Sequence, residues 1–296
     1  MKTRILIFAL LFTGMLSYGQ QDAQFTQYMY NTINVNPAYA GSRGALSMFA
    51  LYRTQWVGLD GAPVTSTVSM NTPLNESNLG LGVSLINDKI GPTTENTISA
   101  DLSYTIPTSE TWKLSFGIKA TANLFDLDAT KLNPVDGTDP SLQNYNTFSP
   151  NIGAGVYWHS DKAYVGFSIP NFIETNRYDD NEVAIFKERI SYYLIGGYVF
   201  DLSDTVKFKP AFLTKMVEGA PLQVDLSGNF MFFDKFMLGA SYRWSAAMSA
   251  MVGFQVSDGL YIGYGYDKET TNLDNYNSGS HEIFLRYELY KNNKKI

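Results

Sequence analysis

The sequence predicts an all-β fold: a transmembrane outer-membrane β-barrel of about 14 antiparallel strands, with 12 also open, joined to an N-terminal periplasmic or plug segment. Three observations predict it. Segments of about ten residues alternate apolar and polar side chains, the period of a strand that faces two environments. Long and short connections between them alternate, as a membrane requires. The composition is aromatic, with 20 Tyr and 19 Phe in 296 residues, yet mean hydropathy is only −0.14.

Lys2 and Arg4 precede the apolar run from Ile5 to Phe12, and Ser17 and Gly19 offer a cleavage site before Gln20. This is the pattern of a secretory signal peptide over residues 1–19, a buried N-terminal helix being the competing reading. The run is too short to cross a bilayer as a helix, and no stretch of about 18 apolar residues follows it. The exported chain therefore either stays soluble or enters an outer membrane as a barrel.

Residues 20–43 do not alternate. Asn36-Pro37 and Gly41 punctuate them as irregular chain, while Tyr28, Tyr30 and Tyr39 give them apolar surface that must be covered. The expectation is a segment folded into the barrel's periplasmic mouth, with its Tyr and Asn side chains on the polar wall. The bland alternative is a mobile periplasmic leader.

Residues 44–296 form the expected barrel, with strands at 44–57, 64–71, 79–87, 96–106, 112–125, 148–158, 163–169, 189–200, 205–216, 222–232, 236–244, 247–256, 260–267 and 280–290. In the fourth, Ile98, Ala100, Leu102 and Tyr104 oppose Thr97, Ser99, Asp101 and Ser103; in the fifth, Leu114, Phe116, Ile118 and Ala120 oppose Ser115, Gly117, Lys119 and Thr121. One face carries lysines and glycines and the other no charge. An even strand number returns both termini to one side. The connections near 107–111, 159–162, 201–204, 233–235 and 257–259 are tight and rich in Asp, Ser and Gly, whereas 126–147, 170–188 and 268–279 are long and polar. The competing soluble sandwich or propeller also alternates. Against it, Tyr52, Trp56, Trp112, Trp158, Tyr192, Tyr198, Tyr242, Trp244, Tyr266 and Tyr287 cluster toward strand ends, as in the aromatic girdles of membrane barrels.

Several chemistries are excluded. With no cysteine there is no disulfide, thiol nucleophile or thiolate metal site. Two histidines, His159 and His281, do not make an all-histidine centre, and a net charge of −6 opposes nucleic-acid binding. His159 with Ser160 falls in a tight turn and His281 with Ser280 and Glu282 begins the last strand, which leaves little for a hydrolase. Asp126, Asp128, Asp136 and Asp139, or Asp179, Asp180 and Glu182, lack the ordered spacing of a calcium loop. The reading is of a non-enzyme with no catalytic residues, cofactor or metal. The inward face would carry Arg53, Asp101, Lys113, Lys119, Lys207, Lys209, Lys215, Asp225, Arg243, Glu282, Arg286 and Glu288. Such a wall either lines a pore, as in an outer-membrane porin or hydrophobic-solute transporter, or pairs internally and closes.

The stretch Phe25-Thr-Gln-Tyr-Met-Tyr-Asn31 with Asn36-Pro-Ala-Tyr-Ala-Gly41, then Leu51-Tyr-Arg-Thr-Gln-Trp-Val-Gly58, Leu79-Gly-Leu-Gly-Val83, Leu114-Ser-Phe-Gly-Ile-Lys-Ala120 and Gly166-Phe-Ser-Ile-Pro-Asn171, resembles the PorP/SprF family of type IX secretion system membrane proteins of Bacteroidetes. The likeness covers essentially the whole mature chain. It implies an outer-membrane protein, exported by the general secretory route, that serves protein secretion and the surface anchoring of large adhesins, with a role in gliding motility in some species. The partners it implies are outer-membrane lipid, a secreted adhesin bearing a C-terminal secretion signal, and periplasmic ring components of the secretion machine. Tyr28, Asn36, Pro37, Tyr39, Arg53, Gln55 and Trp56 match the family's motif and are the candidate partner-binding or plug-seating residues.

Overall fold

A computed structural model describes residues 26–74, 77–132, 143–177 and 186–289. The expected signal peptide, and the acidic residues Asp136, Asp139, Asp179, Asp180 and Glu182, lie outside them. Among the described residues fourteen strands close into one antiparallel barrel: β1 (Leu46–Thr54), β2 (Val64–Pro73), β3 (Leu79–Ile90), β4 (Thr93–Pro107), β5 (Lys113–Leu127), β6 (Tyr145–His159), β7 (Ala163–Ile169), β8 (Ser191–Tyr198), β9 (Val206–Val217), β10 (Gln223–Phe232), β11 (Phe236–Arg243), β12 (Ala247–Gln255), β13 (Leu260–Glu269) and β14 (Ser280–Leu289). Each strand pairs with its neighbours in sequence, and β1 pairs with β14 from Leu46 opposite Leu289 to Thr54 opposite His281. The closed ladder of the fourteen barrel strands has no free edge to template pairing with another chain, and a separate short ribbon pairs 175–177 with 186–188. The strand count is thus 14, not 12.

Alternation sets the faces. In β5, Ser115, Gly117, Lys119, Thr121 and Asn123 point into the lumen, and Phe116, Ile118 and Leu124 point out. Val68, Leu81, Val83, Leu85, Ile98, Leu102, Ile152, Phe167, Leu226, Leu238, Val252, Ile283 and Leu285 continue the outward apolar belt around the barrel. Among the described residues, charges on that face stand only near the outer ends, at Lys89, Asp126 and Lys268. Tyr52, Trp158, Tyr198, Tyr242 and Tyr287 project outward toward the rims, where a ring with a polar handle suits the lipid–water boundary.

Two differences from the sequence reading have physical reasons. β3 to β6 run longer than expected, β3 and β4 meeting in a tight hairpin at Gly91-Pro92. Beyond the lipid both faces of a strand are wet, so alternation vanishes there while pairing continues, as between Asn87 and Asn96. Trp56, grouped above with the girdle, instead sits half-buried in the first outer loop at a positive φ of 46°, its indole Nε1 donating to Glu269 Oε1 at 2.8 Å.

Short connections at one end (74–78, 108–112, 160–162, 199–205, 233–235, 256–259) face the longest ones, 128–144, 170–190 and 270–279, at the other. The short end is periplasmic, and β14 ends there.

Candidate functional site in the barrel lumen

Residues 26–45 fill the lumen. Three single-turn 3₁₀ helices, Tyr28–Tyr30, Thr32–Asn34 and Pro37–Tyr39, carry the chain from the outer half down to the periplasmic rim, where Gly41 and Gly44, both at φ near 70°, turn it into β1. The expectation confined this segment to the periplasmic mouth; it reaches farther. Thr26 lies beside Asp267, Glu282 and Arg53, each within two residues of the outer end of its strand, and Gly41 lies against Pro73 and Gly80 at the inner ends. Along that path its backbone and side chains meet a series of buried polar groups on the wall.

At the top, Arg53 Nη1 is 2.7 Å from Asp267 Oδ2 and 3.1 Å from Glu282 Oε2, all three side chains no more than 3% exposed. The segment completes this cluster. Thr26 N–H and Gln27 N–H donate to the two Glu282 oxygens at 3.2 and 3.1 Å, and the Thr26 hydroxyl donates to Asp267 at 2.6 Å. Two buried carboxylates sharing one guanidinium need these extra donors to tolerate removal from water. Lower down, Lys119 Nζ is paired with Asp101 at 3.3 Å and donates to the carbonyl of Ile33 at 3.1 Å. Ser69 donates to Asn31 Oδ1, Ser168 to the Val35 carbonyl and Ser103 to the Ala40 carbonyl. At the rim Arg43 grips Glu288 through Nε and Nη2, at 2.6 and 2.9 Å.

The wall of β3 to β7 is shaped to receive backbone. A Cβ on Gly80 would fall 2.2 Å from the Ala40 carbonyl oxygen, on Gly117 2.2 Å from Ala38 N, and on Gly155 2.2 Å from Asn36 Oδ1. These glycines face the lumen because they share parity with the polar side of their strands, and their missing side chains let the segment approach. Asn36, fully buried, caps the third 3₁₀ helix by accepting from Ala38 N–H and donates through Nδ2 to the Val156 carbonyl, both at 3.0 Å. Pro37 at the first helical position has no N–H left to satisfy. Tyr39 meets Tyr157 edge-on at 5.6 Å. The opposite wall offers side chains instead: Tyr28 and Met29 pack on Tyr193, Ile195 and Leu213, and Tyr30 packs on Tyr261 and Phe284.

The seven motif residues thus divide. Tyr28, Asn36, Pro37, Tyr39 and Arg53 are buried at the seam between segment and wall. Gln55 and Trp56 are half-buried in the first outer loop, which is laced to the last one: Val57 N–H donates to the Gly279 carbonyl, Ser278 N–H to the Val57 carbonyl, and Trp56 N–H to Ser280 Oγ. Thr26, Gln27, Asn31, Asp267 and the seating glycines also build the site, and sequence reasoning did not single them out. The lumen-facing Gly80 and Gly82 on β3, Gly117 on β5 and Gly153 and Gly155 on β6 were the signal available. At the inner rim a cavity of about 300 Å³ opens between the Ala40–Gly44 elbow and Leu79, Thr105, Lys113 and His159.

With a barrel of apolar exterior and a self-filled lumen described, its relatives can be stated. The family described as type IX secretion system membrane protein PorP/SprF matches residues 17–287. The chain belongs to the PorP/SprF family. Among solved structures this PorP/SprF barrel is similar to the TodX deltaS2S3 mutant monoaromatic hydrocarbon channel, at a TM-score of 0.50 and 9% identity over 87% of this chain and 93% of that one. It is also similar to the CymD monoaromatic hydrocarbon channel (TM-score 0.49, 12% identity, 94% and 97% covered) and to the KdgM porin (0.40, 7%, 82% and 99%). At such identities the likeness is one of fold alone. A search of curated proteins found no match. The PorP/SprF chain is an outer-membrane barrel of the type IX secretion system family.

Proposed function

We propose that this PorP/SprF protein is a non-catalytic outer-membrane component of the type IX secretion system that supports secretion and holds a large adhesin or other cargo at the cell surface. The observation that carries the reading is the lumen: residues 26–45 fill it from the outer half to the periplasmic rim and bond to most of the wall. A barrel filled by its own chain and without free edges suits a rigid anchor better than a solute path. In this reading Tyr28, Asn36, Pro37, Tyr39 and Arg53 seat the segment, and Gln55 and Trp56 present the first outer loop to a partner.

The test is affinity purification of the full-length protein from native membranes. A secreted protein with a C-terminal secretion signal, or the periplasmic ring components, should co-purify. Recovery of neither, together with a solute-uptake defect on deletion, would overturn the proposal in favour of a porin or hydrophobic-solute transporter. In a planar bilayer the protein should be electrically silent, and a large stable current would argue the same way.

A further inference from the structure

The cavity of about 300 Å³ at the inner rim is space that the segment leaves unfilled. It exists because the elbow leading into β1 carries little bulk. Gly41 and Gly44 take left-handed φ with Ser42 between them, and the one long side chain, Arg43, is drawn away onto Glu288. Across from the elbow stand the periplasmic ends of β2 to β6. Lys113 and His159 are direct cross-strand neighbours at the ends of β5 and β6, and both line the cavity. Lys113 shares the parity of the lumen-facing Ser115 and Lys119, is exposed, and makes no ion pair among the described residues. His159 is 9% exposed, its ring stacks on Tyr157 at 5.0 Å, and its Nε2 has no hydrogen-bond partner. Ala40, Pro73, Leu79 and Pro107 give the cavity apolar walls, and no carboxylate lines it. Asp161, in the adjoining turn, acts on His159 from outside that lining.

The chemistry of an occupant follows from this inventory. Lys113 is the one full positive charge in the lining, since an imidazole outside ion-pair distance of an acid is mainly neutral at pH 7. That charge balances a single negative one and gives it a charge-assisted hydrogen bond. A phosphate monoester, with a charge of about −1.5 to −2, would be left short of countercharge. A free amino acid would bring an ammonium that no lining carboxylate receives. A free simple acid would give up its translational freedom for one ion pair, a cost that a side chain carried on a folded surface shares with the rest of its interface. The apolar walls suit the methylene stem of such a side chain.

We propose that the rim cavity is a socket for one acidic side chain, glutamate or aspartate, of a second protein that docks on the periplasmic face of the barrel. Its carboxylate is held between Lys113 Nζ and the His159 imidazole, and its stem lies against Leu79 and Pro107. The inference does not rest on the secretion role. It gives a reason for an unpaired lysine and a buried histidine to stand side by side where the segment uses neither.

The test is zero-length cross-linking of the full-length protein in native outer membranes with a carbodiimide. The reagent activates a carboxyl group, and a lysine amine in contact attacks it, forms an amide and releases the urea. The rim pairs Lys162–Asp201 and Lys207–Asp234, at 2.5 and 2.6 Å, are built-in positive controls. Mass spectrometry of the linked peptides should show Lys113 joined to a glutamate or aspartate side chain of another protein. Lys113→Glu should then reduce co-purification of that protein, measured without cross-linker, at least about tenfold, and reversing the identified acid to lysine should restore it. His159→Phe, which keeps the stack on Tyr157, should cause a smaller loss. The proposal is overturned if the control pairs link and Lys113 does not, or if Lys113 links only to a chain terminus or to acids of its own chain such as Glu110 or Asp161. Undiminished co-purification in Lys113→Glu overturns it as well. The secretion role is judged separately, by which proteins co-purify with the wild type.

Discussion

Replacing Arg53 by methionine removes the one guanidinium between Asp267 and Glu282 while keeping much of the side chain's length and apolar bulk. The two carboxylates, 2% and 1% exposed, are then left inside the lumen with neutral donors alone, from Thr26, Gln27 and, at Asp267, Ser249. Breaking a buried pair from one side costs about 3–5 kcal/mol, because the uncompensated charge remains. With an m-value of about 2–3 kcal/mol per molar in urea, that lowers the midpoint by about 1–2.5 M. The control is the neutral triple variant Arg53→Met, Asp267→Asn, Glu282→Gln. Its amide oxygens still accept from Thr26 and Gln27, so it should fall within about 2 kcal/mol of the wild type, well above the single variant. Equilibrium unfolding in phospholipid vesicles followed by tryptophan fluorescence reads both, with Trp56 three residues from the substituted position. The rim pair is the contrast: Arg43 is one-third exposed, so Arg43→Met should cost only about 1 kcal/mol despite its two short bonds to Glu288. A wild-type midpoint for Arg53→Met, or a triple variant no more stable than the single one, would refute the reasoning.

Gly117→Val should unseat the segment, since even the first carbon of the new side chain falls 2.2 Å from Ala38 N; chymotrypsin should then cut at Tyr28, Tyr30 or Tyr39, sites protected in the wild type. The lipid-side change Gly228→Ala, which meets only the movable Phe208 ring at 3.2 Å, should leave that protection intact. Asn36→Ala removes a helix cap and the bond to the Val156 carbonyl at a cost of about 1–3 kcal/mol, to be read in the same urea titration. Val83→Arg, on the apolar belt, should cost about 2–4 kcal/mol in vesicles, whereas the outer-end change Lys89→Arg should be neutral.

The barrel was legible because a strand has period two and a membrane enforces it. Once Ile98, Leu102 and Phe116 are assigned to lipid, Asp101 and Lys119 must face the lumen, and they do, 3.3 Å apart. Outside the lipid the enforcement stops, which is why the outer ends of β3 to β6 read as loop. Arg53 and Glu282 were placed on the inner face by the same rule, but their joining with Asp267 depends on the register across β1, β14 and β13, which side-chain periodicity does not specify. The path of residues 26–45 was illegible for a related reason. Irregular chain has no period, and its course is set by where the wall offers glycines or unpaired groups.

That distribution makes the lumen two-sided, with a mechanical consequence. Along β3 to β7 the segment rests on backbone: Gly80, Gly117 and Gly155 bring main chain to main chain or to Asn36, and a close-packed contact of that kind has no rotamer through which to yield. Along β8 to β14 it rests on side chains: Tyr193, Ile195, Leu213, Tyr261, Phe284 and the Arg53 cluster. Side chains have alternative rotamers and backbone in a closed ladder does not, so the β8–β14 side, on which Tyr28 and Tyr30 pack, is the more yielding wall of the two.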